Sequence, residues 1–128
     1  MTNKQNRDII KQRVESGEYS LTLSKQQYLK HIQGTPQFEA YEKARLAQSR
    51  SSQSKLYISE AEAQEFILSH YATGTPRVTQ NKNVSNVEYV NSDKVIGTYC
   101  KDGKWYDTKR VAIHYGKKGS HIVPVEEI

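Results

Sequence analysis

His114 and His121 flank a turn in the run Ile113-His114-Tyr115-Gly116-Lys117-Lys118-Gly119-Ser120-His121-Ile122. A two-residue Lys-Lys turn and a four-residue Gly116–Gly119 loop give the same hairpin register. Tyr115 then faces Ser120, His114 faces His121 and Ile113 faces Ile122. Directly opposed residues hold their Cβ atoms about 4.5–5.5 Å apart on one face of a sheet, so two imidazoles should sit side by side. Val111, Ile113 and Ile122 point to the other face, toward the core. Arg110 shares the histidine face, and Lys117 and Lys118 lie at the tip. The window from Lys109 to His121 holds four Lys or Arg, two His and no acid.

Two histidines beside cations suit metal-free cleavage of RNA. That reaction needs a base for the 2′-OH proton, an acid for the 5′-leaving oxygen and a cation for the developing phosphorane charge. Imidazole titrates near neutrality and serves in either role. Nearby lysines disfavour its protonated form, which helps a base and hinders an acid. A third histidine, His31, lies in Lys30-His31-Ile32-Gln33-Gly34-Thr35. There Gly34 turns the chain, and the helix that Thr35 opens offers its N-terminus to phosphate. His70, on a helical face with Phe66 and Ile67, reads as a residue at the core boundary.

No two histidines have i, i+4 spacing and no carboxylate clusters with them, so no metal is expected. The chain has no P-loop, G-x-G-x-x-G or G-x-S-x-G motif, so no cofactor is expected either. Cys100 reads as an inert small residue of a strand. The same basic hairpin also reads as a solvated surface that docks a partner without catalysis.

The elements that must position these residues change character along the chain. Residues 4–15 read as a helix. Ser24-Lys25-Gln26-Gln27 is a capping box opening a short helix to about Gln33. Thr35-Pro36 restarts a helix to about Gln48, with Thr as N-cap and Pro in the first turn. Phe38, Tyr41, Arg45 and Leu46 would share one of its faces. Residues 49–54, Ser-Arg-Ser-Ser-Gln-Ser, read as a polar linker with no reason to fold. Ser59 and Glu62 form a second capping box for a helix over 60–72, which Thr73-Gly74-Thr75-Pro76 ends.

Beyond Pro76 the period becomes strand-like at 84–90 and 95–100. Asp102-Gly103 then turns the chain into Trp105-Tyr106, and further strands follow at 109–115 and 121–125. Helices first and strands after predict an α+β fold with an antiparallel sheet over 84–126. Residues 1–23 read as an N-terminal helical extension of a domain over 24–128.

The chain has 128 residues and a net charge of +5, which favours a polyanionic partner. Ile, Leu, Val and Phe together number 26, so the core must be thin. Nine Tyr stand against two Phe and one Trp, a bias toward half-wet faces. Nothing apolar is long enough to span a membrane. The first residues lack an apolar stretch behind their charges, so no secretory leader is expected. One cysteine forms no internal disulfide, which fits a reducing cytoplasm.

Several strings in this order resemble one family. They are Lys30-His31-Ile32-Gln33-Gly34-Thr35 with Phe38 and Tyr41, then Leu56-Tyr57-Ile58-Ser59 leading to Ala63-Gln64, then Tyr71-Ala72-Thr73-Gly74-Thr75, then Ile96-Gly97. The closing Ile113-His114-Tyr115-Gly116-Lys117-Lys118-Gly119-Ser120-His121-Ile122-Val123-Pro124 is the most specific. Over residues 26–124 the chain is similar to the polymorphic toxin type 50 family, found at the C-termini of phage minor head proteins and of bacterial toxins. It departs from the family pattern at Gly116, where a serine is expected.

The resemblance implies a ribonuclease of the barnase, EndoU, colicin and RelE-like group, with helices followed by a four-stranded antiparallel sheet. It implies metal-independent cleavage of cytosolic RNA, with transfer RNA as one target, and a cognate immunity protein. His31, His114 and His121 carry over as the catalytic positions. Lys30, Tyr115, Lys117 and Ser120 carry over as supporting ones, with Thr35, Arg110 and Lys118 placed to hold substrate. His121 or His114 would be the base, the other histidine or His31 the acid, and Lys117 the stabilising cation. Such a domain works in the cytoplasm of the producing or target cell, or rides in a virion. The rival expectation is a non-catalytic phage module that holds nucleic acid, a head protein or a host protein.

Overall fold

Among residues 2–127, which the computed structural model describes, helices and antiparallel strands form an α+β fold. The helices are α1 (Asn3–Glu15), α2 (Lys25–Leu29), α3 (Pro36–Ala47) and α4 (Glu60–His70). Three of the four starts are capped by side chains; α2 begins after Ser24, but that hydroxyl makes no capping bond, so the box expected at Ser24–Gln27 does not form. The Thr2 hydroxyl accepts from Gln5 N, the Thr35 hydroxyl from Phe38 N, and the Ser59 hydroxyl from Glu62 N. Each satisfies an N–H that a helix cannot use internally. Helix α2 stops four residues earlier than expected. The Thr35 hydroxyl donates to Leu29 O at 2.7 Å, and the amides of His31 and Ile32 bond three residues back to Tyr28 O and Leu29 O. The chain from Lys30 to Gly34 is therefore a string of tight turns, closed by Gly34 at φ 95°.

Seven strands follow or interrupt the helices: β1 (Lys55–Leu56), β2 (Thr75–Val78), β3 (Val84–Asn91), β4 (Gly97–Lys101), β5 (Lys104–Thr108), β6 (Arg110–His114) and β7 (His121–Pro124). They form two sheets. One has four strands in the order β2-β3-β6-β7, and the other has three in the order β1-β4-β5. The β4–β5 hairpin thus leaves the main sheet, and β2 takes the place expected for it. Strand β2 hides in the sequence because its first residues, Thr75-Pro76, also read as a helix terminator. Gly97 lets the two sheets meet. A Cβ there would stand 2.2 Å from Lys55 O and 2.7 Å from Pro124 Cγ, so only glycine fits.

The core lies between the helices and the inner face of the four-stranded sheet. Ile10 of α1 and Ile67 of α4 pack with Val111, Ile113 and Ile122, all buried. One charged residue joins them. Glu88 is fully buried, and its carboxylate accepts from Ala72 N (2.8 Å), Gly74 N (2.7 Å) and the Tyr115 hydroxyl (2.6 Å). It ties the turn after α4, where Ala72 takes a positive φ, to the middle of the sheet. Glu88→Ala would strand one buried and two partly buried donors, each costing up to about 1–3 kcal/mol. The expected loss is about 3 kcal/mol or more, read as a lower urea midpoint at constant slope. A change under about 1 kcal/mol would show that water or a shifted turn replaces the carboxylate.

Candidate active site

The antiparallel pairing of β6 with β7 sets Ile113 opposite Ile122 and His114 opposite His121. The two imidazoles stack with ring centres 4.9 Å apart and planes 18° from parallel. His31 arrives from the turns after α2 and lines the same cleft. It is 6 % exposed. Its backbone carbonyl accepts from Leu56 N at 2.8 Å, which docks the turn on β1. Its Nδ1 lies 3.0 Å from Ser54 O and 3.3 Å from Ser54 Oγ. A carbonyl can only accept, so in the neutral ring Nδ1 carries the proton and Nε2 is the basic nitrogen.

Residues 49–54 are therefore not a loose linker. Gln53 is 1 % exposed and its side-chain amide donates to Lys30 O and Phe38 O. Those two carbonyls pull the polar run onto the ends of α2 and α3, and the next residue holds His31.

The cleft has a volume of about 480 Å³. Lys30, Arg45 and Arg50 bring positive charge, and Tyr41 and Tyr99 add rings. Among the described residues no Asp or Glu lines it. Lys30 and Arg45 both lie on the Tyr41 ring, at 5.3 and 5.6 Å from its centre. The Arg45 guanidinium also donates to Ser51 O at 2.8 Å, which fixes its end of the wall.

Burial and like charge act together on the histidines. Burial, opposed by the Ser54 hydrogen bond and aided by His114, Arg45 and Lys30, pushes His31 down to about 4. Burial, with His114, His31 and Lys30, pushes His121 down to about 3. Burial and Arg77 lower His114 by less. All three rings are neutral at neutral pH in the free protein. Among the described residues no group of three or more His, Cys, Asp or Glu is arranged to hold a metal ion.

The other expected residues fall in five places. Lys30 lines the cleft. Lys117 and Lys118 border a second depression of about 510 Å³, which shares His114 and His121 with the first. Arg110 shares the histidine face but turns away at its far end. Its guanidinium lies 4.1 Å from the Tyr89 ring centre and donates to Glu126 O at 3.2 Å. Thr35 is used up as the cap of α3.

Tyr115 and Ser120 face inward, by the same alternation that turns Ile113 and Ile122 inward. Tyr115 stacks on Tyr19 at 5.2 Å, and burial beside Glu88 holds its phenol far above its ordinary value. The Ser120 hydroxyl donates to Ser20 O at 2.6 Å, and its backbone bonds Thr22 and Ser24. Both side chains are spent on the core, and neither lines the histidine cleft, though Tyr115 borders the second depression. Sequence reasoning missed Arg45, Arg50, Gln53, Ser54 and Tyr99 as parts of the wall. Only the Tyr41–Arg45 pair, one helical turn apart, gave a signal. His70 stacks on Phe66 at 3.9 Å, at the edge of the core and away from the cleft.

A family model described as bacterial toxin 50 matches residues 23–124. The chain belongs to the bacterial toxin 50 family. Searches of curated proteins and of solved structures gave no match. The toxin 50 match contains all three histidines, Lys30, Arg45, Arg50 and the segment 49–54. The matched residues also include the buried Glu88–Tyr115 pair, so in this chain the closing string carries a tyrosine that faces the core. No helix of the described residues is long and apolar enough to cross a membrane.

Proposed function

We propose that this toxin domain is a metal-independent endoribonuclease. The observation that carries the reading is the acid-free cleft in which three neutral imidazoles converge among lysine and arginine side chains. Such a cavity attracts a polyanion, supplies proton acceptors and offers no carboxylate for a hard divalent cation.

In the reaction, His31 Nε2 takes the proton of a ribose 2′-OH. The 2′-oxygen attacks the adjacent phosphorus, and the bond from phosphorus to the 5′-oxygen breaks. His114, the least depressed of the three, donates the proton that the leaving 5′-oxygen gains. Lys30 and Arg45 stabilise the charge of the phosphorane. His121 stacks on His114 and holds the phosphate beside it. A bound phosphate raises the affinity of nearby imidazoles for protons, so substrate itself loads the acid. Lys117 and Lys118 border the pair from the far side and extend the track for the sugar-phosphate backbone. Cytosolic RNA, with transfer RNA as one target, is the substrate class, and a cognate immunity protein is the fitting partner for a polymorphic toxin.

The test is incubation of the purified chain with end-labelled total RNA in EDTA. Discrete fragments with 2′,3′-cyclic phosphate ends are the expected result. RNA left intact at high enzyme concentration would overturn the proposal.

A further inference from the structure

The β4–β5 hairpin carries aromatic surface that the cleavage chemistry does not use. Trp105 is 41 % exposed and Tyr106 is 42 % exposed. A chain with so thin a core leaves its one tryptophan partly exposed on this hairpin, with Tyr106 next to it in the chain. The hairpin register explains the arrangement. Tyr99 pairs with Tyr106 on one face, and Cys100 pairs with Trp105 on the other. Tyr99 and Tyr106 stack at 5.4 Å with planes 23° apart, and Lys55 Nζ sits 4.1 Å from the Trp105 ring centre. Tyr99 also lines the cleft, so the stacked pair continues outward from the histidines.

We infer that this hairpin is a base-stacking subsite, and that the toxin takes single-stranded rather than base-paired RNA. The inference rests on the ribonuclease reading of the cleft and names the form of its substrate. A strand whose phosphate lies among the cations at the histidines brings its next bases to Tyr99 and Tyr106. An acidic protein could satisfy the cations and pack side chains on the rings, but only a nucleic acid strand repeats anion and plane together at every residue, in step with cations that lead into a ring pair. Base–aromatic stacking tolerates any sequence because every base has a π-face. In a duplex those faces are already stacked on each other and are closed to a side chain, whereas the bases of a single strand can splay out. Charge on the hairpin is mixed: Lys101 is held by Glu126 at 2.6 Å and Asp107 lies opposite Thr98, while Lys55 and Lys104 add positive charge. The rings, not charge, therefore set the preference.

Tyr106 belongs to the stacked pair itself, so it is the residue to change. The probe is an end-labelled 2′-O-methyl single-stranded octanucleotide, whose blocked 2′-oxygen prevents cleavage. A matching abasic strand carries the same phosphates. By fluorescence anisotropy of the label, the base-bearing strand should bind about tenfold tighter than the abasic strand. Tyr106→Ala, with an unchanged thermal midpoint, should remove about that same factor. Equal affinity for the two strands would overturn the subsite, as would full binding by Tyr106→Ala. Digestion of total RNA in parallel separates the two ideas. Cleavage without base-dependent affinity removes the subsite and leaves the nuclease. Base-dependent affinity without cleavage keeps the subsite and removes the nuclease.

Discussion

His121→Ala and His114→Ala should each lower RNA cleavage by about 10²–10⁴-fold, the usual contribution of a positioned proton-transfer or phosphate-orienting group. Neither change should unfold the domain, because the two rings share the outward face of β6 and β7 while Ile113 and Ile122 hold the inward one. The loss should fall on kcat. Lys30, Arg45 and Arg50 still line the cleft in both variants, so affinity for a non-cleavable strand should change little in His114→Ala and fall far less than the rate in His121→Ala, which loses one phosphate contact. The double variant should be scarcely worse than either single one, since groups that act as a unit lose their function together.

A docking module gives the opposite pattern. It would tolerate both substitutions, and its binding would weaken steeply with salt through release of counterions. Single-turnover cleavage beside filter binding at two salt concentrations separates the two outcomes. Full cleavage by both variants would remove the histidine pair from the mechanism.

The pairing of His114 with His121 was legible because strand alternation has a period of two, and an even turn preserves it. The same arithmetic places Tyr115 and Ser120 on the inner face. Their presence in a specific motif drew them toward the site, but a motif does not distinguish residues that build a hairpin from residues that use it. His31 shows the opposite limit. Its local sequence reveals only a turn. What brings it to the sheet is Ser54, from a run of small polar residues with no periodicity, held by the buried amide of Gln53. Such a segment folds through side-chain bonds to carbonyls that exist only after α2 and α3 have formed. Strand β1 has two residues and β2 begins inside a helix stop signal, so neither has room for an alternating pattern. Helix starts, by contrast, follow from single residues, and Thr35 and Ser59 cap where their types and spacing require.

Acid should destabilise the domain in a window set by its buried histidines. His31 binds its proton at about 4 in the folded chain against an ordinary value of 6.5. Between those values the unfolded chain carries a proton that the folded chain does not, so stability rises with pH across the window. The stability is complete above 6.5 and is lost as pH falls toward about 4. At about 1.4 kcal/mol for each tenfold change, His31 alone accounts for about 3 kcal/mol. His121 acts in the same direction, with a smaller return because its ring is partly in water. Urea midpoints measured from pH 7 to pH 5, above the range of ordinary carboxylates, should fall steadily in the wild type and less steeply in His31→Gln, where His114 and His121 still contribute. A flat wild-type profile there would mean that His31 is charged in the folded state.

The same displacement governs activity. With the base deprotonated down to about pH 4, kcat/KM should show no acid limb near 6.5, and its optimum should lie below that value. Bound phosphate stabilises the imidazolium of His114, so the kcat profile should sit at higher pH than the kcat/KM profile. That separation is specific to an acid whose proton arrives with the substrate. Two profiles that coincide would assign the proton to the free protein.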